Sequence, residues 1–369
     1  MNTTRRAWRI PAAAALAGAL LGTGITAAAL ADDPAEAAGP SLAASASPAG
    51  ARPAPAGAGG ATGTATQSYA PVVRRVVPSV VLIRTASGLG SGVILDDKGN
   101  IVTNAHVTGT ATRFEVQLAG DPAPRSARLV GSYAPDDLAV IRTDDAKGLT
   151  PARFADSSQV KVGDVVLAVG NPLGLTSSVT EGIVSATGRA VTEPATPQSP
   201  GATLPGAIQT SAPINPGNSG GALVSLSGQV VGIPTLAAAS PANGAPAPGI
   251  GFAIPSNVVR DIAGQIIATG QVANSHRAAI GAQVATIAGI AGQPDGAGIV
   301  AVTPAGPAAR AGLRAGDVIR SVGAVPTADA EALSQALATM RPGQAVKVVV
   351  VRDQQPHTVQ VTLGQLPGG

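Results

Sequence analysis

The sequence contains no cysteine and only three histidines among its 369 residues. The lack of cysteine excludes disulfide bonds and thiolate metal sites. Three scattered histidines, with no His-Glu-x-x-His stretch, do not supply the ligands of a zinc protease, and no motif indicates a metal or another cofactor. Aromatic residues make up 2% of the chain against 45% hydrophobic residues in all, so a core has to be built mainly from Val, Ile, Leu and Ala.

The charge balance gives no support for a nucleic-acid partner. Residues 1–31 contain three of the 24 Lys and Arg residues and none of the 21 acidic residues, so the rest of the chain is formally neutral. Nucleic-acid-binding domains usually have a surplus of basic residues on one face. The sequence therefore indicates no such domain.

Residues 1–31 have the pattern of a signal peptide. An arginine-rich start precedes an apolar run over 10–30, and Ala29-Leu30-Ala31 has the small-x-small pattern of a cleavage site. Cleavage there would leave Asp32 as the new N-terminus. The run is nearly long enough to cross a bilayer, so a retained membrane anchor is the alternative. Both interpretations predict export across the cytoplasmic membrane, as a secreted, cell-envelope or membrane-anchored protein.

The rest of the chain divides by composition. Residues 32–68 are largely Ala, Pro, Gly, Ser and Thr, which predicts a disordered linker. A first folded domain is expected over 69–262, where short β-branched runs beginning with 76–84 alternate with turn residues, as in an all-β barrel or sandwich. A helix-prone segment over about 255–267 and a linker over 263–277 lead to a second domain over 278–366.

One glycine-rich stretch could be taken for a nucleotide-binding motif. Residues 88–92 read Gly-Leu-Gly-Ser-Gly, but they lack the spacing of a dinucleotide-binding turn and lead into a strand. We interpret them as a turn.

A second glycine-rich stretch, residues 215–221, contains a candidate nucleophile. It reads Asn-Pro-Gly-Asn-Ser-Gly-Gly, which exposes Ser219 between closely spaced glycines. Acyl transfer needs a hydroxyl that stands clear of its own backbone, beside amides that can face a developing oxyanion. A serine also needs a base, usually a histidine oriented by a carboxylate. The sequence offers few candidates for these two roles.

His106 is the candidate base, because it ends the apolar run that begins at Ile101. His276 in a polar segment and His357 in an expected edge strand have the ordinary character of structural or surface residues. Asp137 is the candidate carboxylate, since it leads directly into an apolar strand that would half-bury it. Asp136 is the alternative, and we expect it otherwise to be a solvated turn acid.

The order His, Asp, Ser along the chain and the short sequence motifs around these residues resemble the HtrA/Deg family of trypsin-like serine proteases. The resemblance covers roughly residues 70–260. It rests on the motifs Gly90-Ser91-Gly92-Val93-Ile94, Thr103-Asn104-Ala105-His106-Val107, Asp137-Leu138-Ala139-Val140, Gly170-Asn171-Pro172, Ile208-Gln209-Thr210, the 215–221 stretch and Gly251-Phe252-Ala253-Ile254-Pro255. It implies a mainly β fold, a chymotrypsin-like double β-barrel followed by a small α+β PDZ domain. It assigns His106 as base, Asp137 as its orienting carboxylate and Ser219 as nucleophile, with Gly217 and Ser219 giving the oxyanion-hole N–H groups.

The resemblance also implies a substrate pocket. A residue six positions before the nucleophile lies at the base of that pocket in chymotrypsin-like enzymes, which gives Pro213, followed by Ile214; Ile233 and Thr235 complete the predicted lining. None carries a charge, so we expect cleavage after Val, Ala, Leu or Ile. Pro234 departs from the family pattern and removes an N–H from the strand expected to pair with substrate.

Residues 278–365 resemble a PDZ domain. The resemblance rests on the motifs Gly298-Ile299-Val300-Ala301-Val302, 307–313 and Gly316-Asp317-Val318-Ile319. The family's carboxylate-binding loop maps to Ala279 and the next three residues. There Ile280, Gly281 and Ala282 would bind C-terminal peptides, and the small alanines imply a shallow pocket.

The resemblance implies a serine endopeptidase that cleaves unfolded or damaged proteins outside the cytoplasm, with PDZ-mediated peptide recognition and a possible homotrimer. The first alternative is a peptide-binding, chaperone-like quality-control module whose proteolysis is latent. A lipase or esterase is a weaker alternative, because the serine elbow of those enzymes expects the order Ser, Asp, His.

Overall fold

The computed structural model describes residues 68–368, apart from residues 87, 122, 172–177, 194–200, 216, 240–245 and 290–291. The predicted export signal or anchor, and all but the last residue of the predicted linker, lie outside the described residues. Across the described ranges, no helix is both long and apolar enough to span a membrane.

The first half of the protease region is a closed antiparallel barrel. Its strands are hydrogen-bonded in the order β1-β2-β3-β6-β5-β4. A helix precedes the barrel, and short helices lie between its strands. The elements are α1 (Ala70–Val76), a 3₁₀ turn (Val77–Ser79), β1 (Val80–Arg84), β2 (Leu89–Ile94), β3 (Asn100–Thr103), α2 (Ala105–Thr108), β4 (Arg113–Leu118), β5 (Arg125–Tyr133), a 3₁₀ turn (Ala134–Asp136) and β6 (Leu138–Thr143).

The second half is another closed antiparallel barrel, with the order β10-β11-β12-β9-β8-β7. A core that is almost entirely aliphatic extends through both barrels, as the shortage of aromatic residues requires. The elements are a 3₁₀ turn (Ser157–Gln159), β7 (Val165–Gly170), β8 (Ser178–Glu193), β9 (Ala202–Thr210), β10 (Ala222–Ser225), β11 (Val230–Ala239) and β12 (Pro246–Pro255).

Helix α3 (Ser256–Thr269) closes the protease domain and corrects its predicted boundary. Ile262, Ala263 and Ile266 lie on one side of the helix and are buried in the protease core. The predicted division at residue 262 is therefore wrong, because it cuts a helix that packs as one unit. The helix ends at Gly270 in a left-handed conformation (φ 79°), a common helix terminator.

The C-terminal domain is a small α+β fold. Its main sheet has the order β14-β15-β16-β18-β19, with β17 added to β16 and a separate β13–β20 pair. Leu333 of α5 is fully buried, and Leu337 and Met340 pack beside it, as their spacing predicts. The elements are β13 (Ala278–Ala279), β14 (Ala282–Ala288), β15 (Pro294–Val302), α4 (Pro307–Arg310), β16 (Val318–Val322), β17 (Val325–Pro326), α5 (Ala330–Ala338), β18 (Ala345–Arg352), β19 (Gln355–Thr362) and β20 (Gly364–Gln365).

Two local predictions were wrong. The strand predicted from residue 76 begins only at Val80, because the segment before it is helical, with proline at the first turn of both α1 and the 3₁₀ turn. The stretch 88–92 is not a turn either. Residues 89–92 belong to β2, where added Cβ atoms at Gly90 and Gly92 would lie 2.5 and 2.6 Å from side chains of Val107 and Ile101.

Candidate active site

His106 is presented by the short helix α2 at the end of β3. Asn104 caps this helix in an extended conformation and turns the chain out of the sheet. Its side-chain Nδ2 donates to the main-chain carbonyl of Asp137 at 3.0 Å, and the N–H of Ala105 donates to the same carbonyl at 3.1 Å. These two bonds fix the histidine segment against the aspartate segment without using the side chain of His106 or Asp137.

Asp137 holds His106 by two hydrogen bonds. One carboxylate oxygen, Oδ1, accepts the main-chain N–H of His106 at 2.9 Å, and the other, Oδ2, lies 2.9 Å from His106 Nδ1. Asp137 is 2% exposed and has a left-handed backbone (φ 50°). Few residues other than glycine adopt this conformation, and such strain is concentrated at functional sites.

Thr235 of β11 completes the environment of the carboxylate. Its hydroxyl donates to Asp137 Oδ2 at 2.5 Å, and the residue is 3% exposed. Thr235 was predicted to line the substrate pocket. Its hydroxyl faces the aspartate, and a place in the pocket lining stays a prediction.

Ser219 lies on a tight loop before β10, in the second barrel. Gly217 (φ 110°) and Gly220 (φ 78°) both have backbones that favour glycine. A Cβ on Gly220 would also lie 2.3 Å from the carbonyl oxygen of Ser91. The Ser219 hydroxyl donates to the main-chain carbonyl of Thr235 at 3.0 Å. The loop therefore places the serine beside the residue that contacts Asp137.

The two predicted oxyanion donors are available in this loop. Within the described part of the chain, the N–H groups of Gly217 and Ser219 are not donated to any main-chain carbonyl. The intervening N–H of Asn218 is used, because it donates to Asn215 O at 3.1 Å. The loop is thus hydrogen-bonded at its centre and leaves free the two amides that could bind an oxyanion.

The other predicted pocket residues differ in accessibility. Pro213 is exposed, whereas Ile214 and Ile233 are 6% and 0% exposed. The Pro213 carbonyl accepts hydrogen bonds from Thr180 Oγ1 at 2.8 Å and Asn218 Nδ2 at 3.0 Å. Ile233 is packed in the core, so it supports this region from below and offers little open surface to a ligand.

Asp136 pairs with Arg277, and the expectation that it is solvated was wrong. It is 2% exposed, and its Oδ1 lies 2.9 Å from Arg277 Nη1, which also donates to Pro135 O at 2.6 Å. Burial raises the pKa of Asp136 to about 6, and Arg277 opposes that rise. Adjacent acids therefore have different partners: Asp137 binds His106, whereas Asp136 binds the segment that leads into the C-terminal domain.

A groove in the C-terminal domain contains the predicted peptide site. A cavity of about 770 Å³ lies between β14 and α5, and Ile280, Gly281 and Ala282 line one end. Gly281 has a left-handed backbone (φ 75°), and a Cβ there would lie 2.7 Å from Pro307. Residues of the protease domain, including Thr192, line the same cavity. The groove therefore opens directly onto the β8–β9 hairpin.

Two contributors to the site were missed from the sequence. Ser91 is fully buried and binds the nucleophile loop, and Asn104 fixes the Asp137 segment. Both lie inside sequence motifs on which the family resemblance rests, so the sequence did mark these positions. The chain separation between partners, 126 residues for Ser91 and Gly217, gave no means to pair them.

Comparison with known proteins agrees with this arrangement. Residues 90–233 match the trypsin-like peptidase domain family, and residues 278–363 match the PDZ domain family. The chain is 37% identical over 332 residues to the periplasmic pH-dependent serine endoprotease DegQ of Escherichia coli, covering 80% of this chain and 70% of DegQ. It is 41% identical over 281 residues to the periplasmic serine endoprotease DegP of E. coli, covering 75% of this chain and 57% of DegP.

Solved structures give the same result. The HtrA-type protease AlgW with a decapeptide superposes with a TM-score of 0.55 at 34% identity, covering 82% of this chain and 99% of AlgW. The predicted fold class is confirmed, and the endopeptidase interpretation is favoured over the peptide-binding module. The chain belongs to the HtrA/Deg family of serine endopeptidases, with a trypsin-like peptidase domain followed by a PDZ domain.

Proposed function

We propose that His106, Asp137 and Ser219 are the catalytic triad of an endopeptidase that cleaves unfolded or damaged proteins. The observation that carries this proposal is the pair of hydrogen bonds between Asp137 and His106. The bond to Nδ1 selects the tautomer whose Nε2 can accept a proton. It also stabilises the imidazolium that forms after proton transfer.

The chemistry follows from these positions. Ser219 Oγ turns from the Thr235 carbonyl toward His106, gives its proton to Nε2 and bonds to the scissile carbonyl carbon. The carbonyl oxygen becomes negative and accepts hydrogen bonds from the N–H groups of Gly217 and Ser219. His106 then protonates the leaving amine as the C–N bond breaks. A water molecule gives a proton to His106 and bonds to the acyl carbon, and His106 returns that proton to Ser219 Oγ as the acyl–oxygen bond breaks and the acid product leaves.

The substrate pocket is proposed to prefer small apolar side chains. Ile214 supplies an uncharged wall, Ile233 supports this region from the core beneath it, and Pro213 lies at its edge. An unpaired Arg or Lys would lose its hydration there without gaining a partner. Each accommodated methylene contributes only about 0.8 kcal/mol, so selectivity among Val, Ala, Leu and Ile is graded. Such residues are buried in folded proteins, which directs cleavage to unfolded chains.

The PDZ groove is proposed to bind C-terminal peptides. Strand β14 lies at the edge of its sheet and can accept an added strand. Ile280, Gly281 and Ala282 precede or begin that strand, where main-chain N–H groups could bind a terminal carboxylate. The HtrA-type protease AlgW has been solved with a decapeptide and with a tripeptide, which supports peptide binding by this chain in general.

Export is proposed on two grounds. The N-terminal sequence has the pattern of a signal peptide or anchor, and relatives such as DegQ and DegP are periplasmic. Retention as a membrane tether and assembly as a homotrimer remain part of the proposal. N-terminal sequencing of exported protein and its mass in solution test them: a chain starting at Asp32 favours cleavage, and an intact chain in the membrane fraction favours the anchor.

The activity is tested with an unfolded protein substrate. Ser219→Ala should abolish cleavage while leaving C-terminal peptide binding intact, and His106→Ala should be about as damaging, with losses on the order of 10⁴-fold or more. Cleavage sites mapped by mass spectrometry should follow apolar residues. Persistent cleavage by Ser219→Ala would refute the nucleophile, and a majority of cuts after Arg or Lys would refute the pocket.

A further inference from the structure

Ser91 is a buried serine of the first barrel whose side chain contacts the nucleophile loop of the second. It lies in the middle of β2 and is 0% exposed. Its Oγ donates to the main-chain carbonyl of Gly217 at 2.5 Å, and its own N–H donates to the carbonyl of Ser219 at 3.0 Å. One residue therefore holds carbonyls at both ends of the segment 217–219.

The direction of the Ser91 hydroxyl proton is determined by its surroundings. The main-chain N–H of Asn171 donates to Ser91 Oγ at 2.8 Å. A serine hydroxyl has one proton and can accept through its lone pairs. Because Asn171 uses a lone pair, the single proton is directed to the Gly217 carbonyl. The contact is thus a fixed hydrogen bond between a buried donor and a buried acceptor.

This bond bears on the oxyanion hole through peptide geometry. The Gly217 carbonyl and the Asn218 N–H belong to the same rigid peptide plane. Ser91 holds one end of that plane, and Asn215 O holds the other. The two proposed oxyanion donors lie in the planes immediately before and after it. Rotation of the central plane would change the angle between the Gly217 and Ser219 N–H groups.

We propose that Ser91 is a positioning residue that keeps the two oxyanion donors convergent. The inference rests on the proposed function of the Gly217 and Ser219 amides. Gly217 has a special need for such a restraint, because it lacks the Cβ that would limit rotation at φ 110°. Ser91 touches no substrate, and its effect is exerted only through the loop.

A purely structural role for Ser91 makes a different prediction. Loss of a buried hydrogen bond lowers stability wherever it occurs. Loss of oxyanion alignment lowers the rate of the chemical step and weakens tetrahedral inhibitors, but leaves ground-state substrate binding unchanged. Ser256 provides a matched control, since it is also 0% exposed and its Oγ donates to a main-chain carbonyl, that of Ala155, at 2.8 Å.

The experiment compares Ser91→Ala and Ser256→Ala in the full chain. Removal of a whole oxyanion donor costs about 10²–10³ in kcat, so misalignment in Ser91→Ala should cost about 10- to 100-fold. We expect KM to change little and the Ki of a peptide boronate to rise by a similar factor. Ser256→Ala should retain the parent kcat and Ki. Substrate affinity, measured in the Ser219→Ala background, should be unchanged by Ser91→Ala.

A conservative variant and a ratio protect the test against partial unfolding. Ser91→Thr keeps the hydroxyl and should recover more activity than Ser91→Ala. The apparent kcat falls with the fraction of folded enzyme, whereas Ki reports only the folded, active molecules. A rise in Ki therefore cannot come from misfolded protein in the sample. A Ser91→Ala kcat within about twofold of the parent, an equal loss in Ser256→Ala, or a rise in KM alone would overturn the inference. If Ser219→Ala stayed active, the proposed function itself would fail.

Discussion

Thr235→Val removes a hydrogen bond to Asp137, the proposed catalytic carboxylate, while nearly preserving side-chain volume. The Thr235 hydroxyl donates to Asp137 Oδ2 at 2.5 Å, in a setting where both residues are at most 3% exposed. The main-chain carbonyl that contacts Ser219 is unaffected by the substitution. The variant therefore isolates one donor to Asp137.

The magnitude follows from the number of donors that remain. A hydrogen bond to a charged group contributes about 1.5–3 kcal/mol, and each 1.36 kcal/mol in the barrier changes a rate about tenfold. Asp137 keeps two bonds to His106, so the loss should lie near the lower limit. We expect kcat to fall about 10- to 30-fold, far less than for loss of the carboxylate itself.

The assay is steady-state hydrolysis of a short apolar reporter peptide by the parent, Thr235→Val and Thr235→Ser. Thr235→Ser retains the hydroxyl and should stay close to the parent. Thermal unfolding of all three proteins separates loss of fold from loss of rate. Equal rates for the parent and Thr235→Val, in folded protein, would refute the role assigned to this hydroxyl.

Three further outcomes are expected. Asp137→Asn should lower kcat about 10⁴-fold, whereas Asp136→Asn should lower it far less, and the reverse order in the same reporter assay would exchange their roles. Burial raises the folded-state pKa of Asp136 to about 6, so this group favours folding at low pH and its contribution is lost as pH rises from about 4 through 6. The free energy of unfolding of Asp136→Asn, measured in urea, should therefore depend less on pH in that window. The same pH dependence in the parent and the variant would contradict this. Asp317 accepts hydrogen bonds at 2.7 Å from both Arg352 Nε and Nη2, and these bonds are the main cause of its lowered pKa. Asp317→Asn should therefore lower the thermal unfolding midpoint of the PDZ domain, and an unchanged unfolding transition would show that the pair is dispensable.

The fold was predicted where the sequence pattern is local. Short β-branched runs between turn residues indicated the barrels, and the i, i+4 spacing of Leu333 and Leu337 indicated a helix face. Strand β4 was not predicted, because Val116 is its only β-branched residue, although the alternation of Arg113 and Glu115 with buried residues is typical of a strand. The start of β1 was misplaced because valines occur both in α1 and in the strand that follows it.

The site was predicted where its residues lie in recognisable sequence motifs. His106, Asp137 and Ser219 each follow or precede an apolar strand in a characteristic local sequence. The partners of Asp136 and Thr235 depend on contacts across 141 and 98 residues. A single sequence contains no measure of those distances, so burial of Asp136 and the direction of the Thr235 hydroxyl required the structure.

The central claim is that Ser219 is a nucleophile activated by His106. Incubation of the full chain with a fluorophosphonate, followed by intact-mass measurement and peptide mapping, tests it most directly. The account predicts one adduct per chain, located on Ser219 and absent from His106→Ala under the same conditions. An adduct on another residue of the parent, or equally rapid labelling of Ser219 without His106, would contradict it.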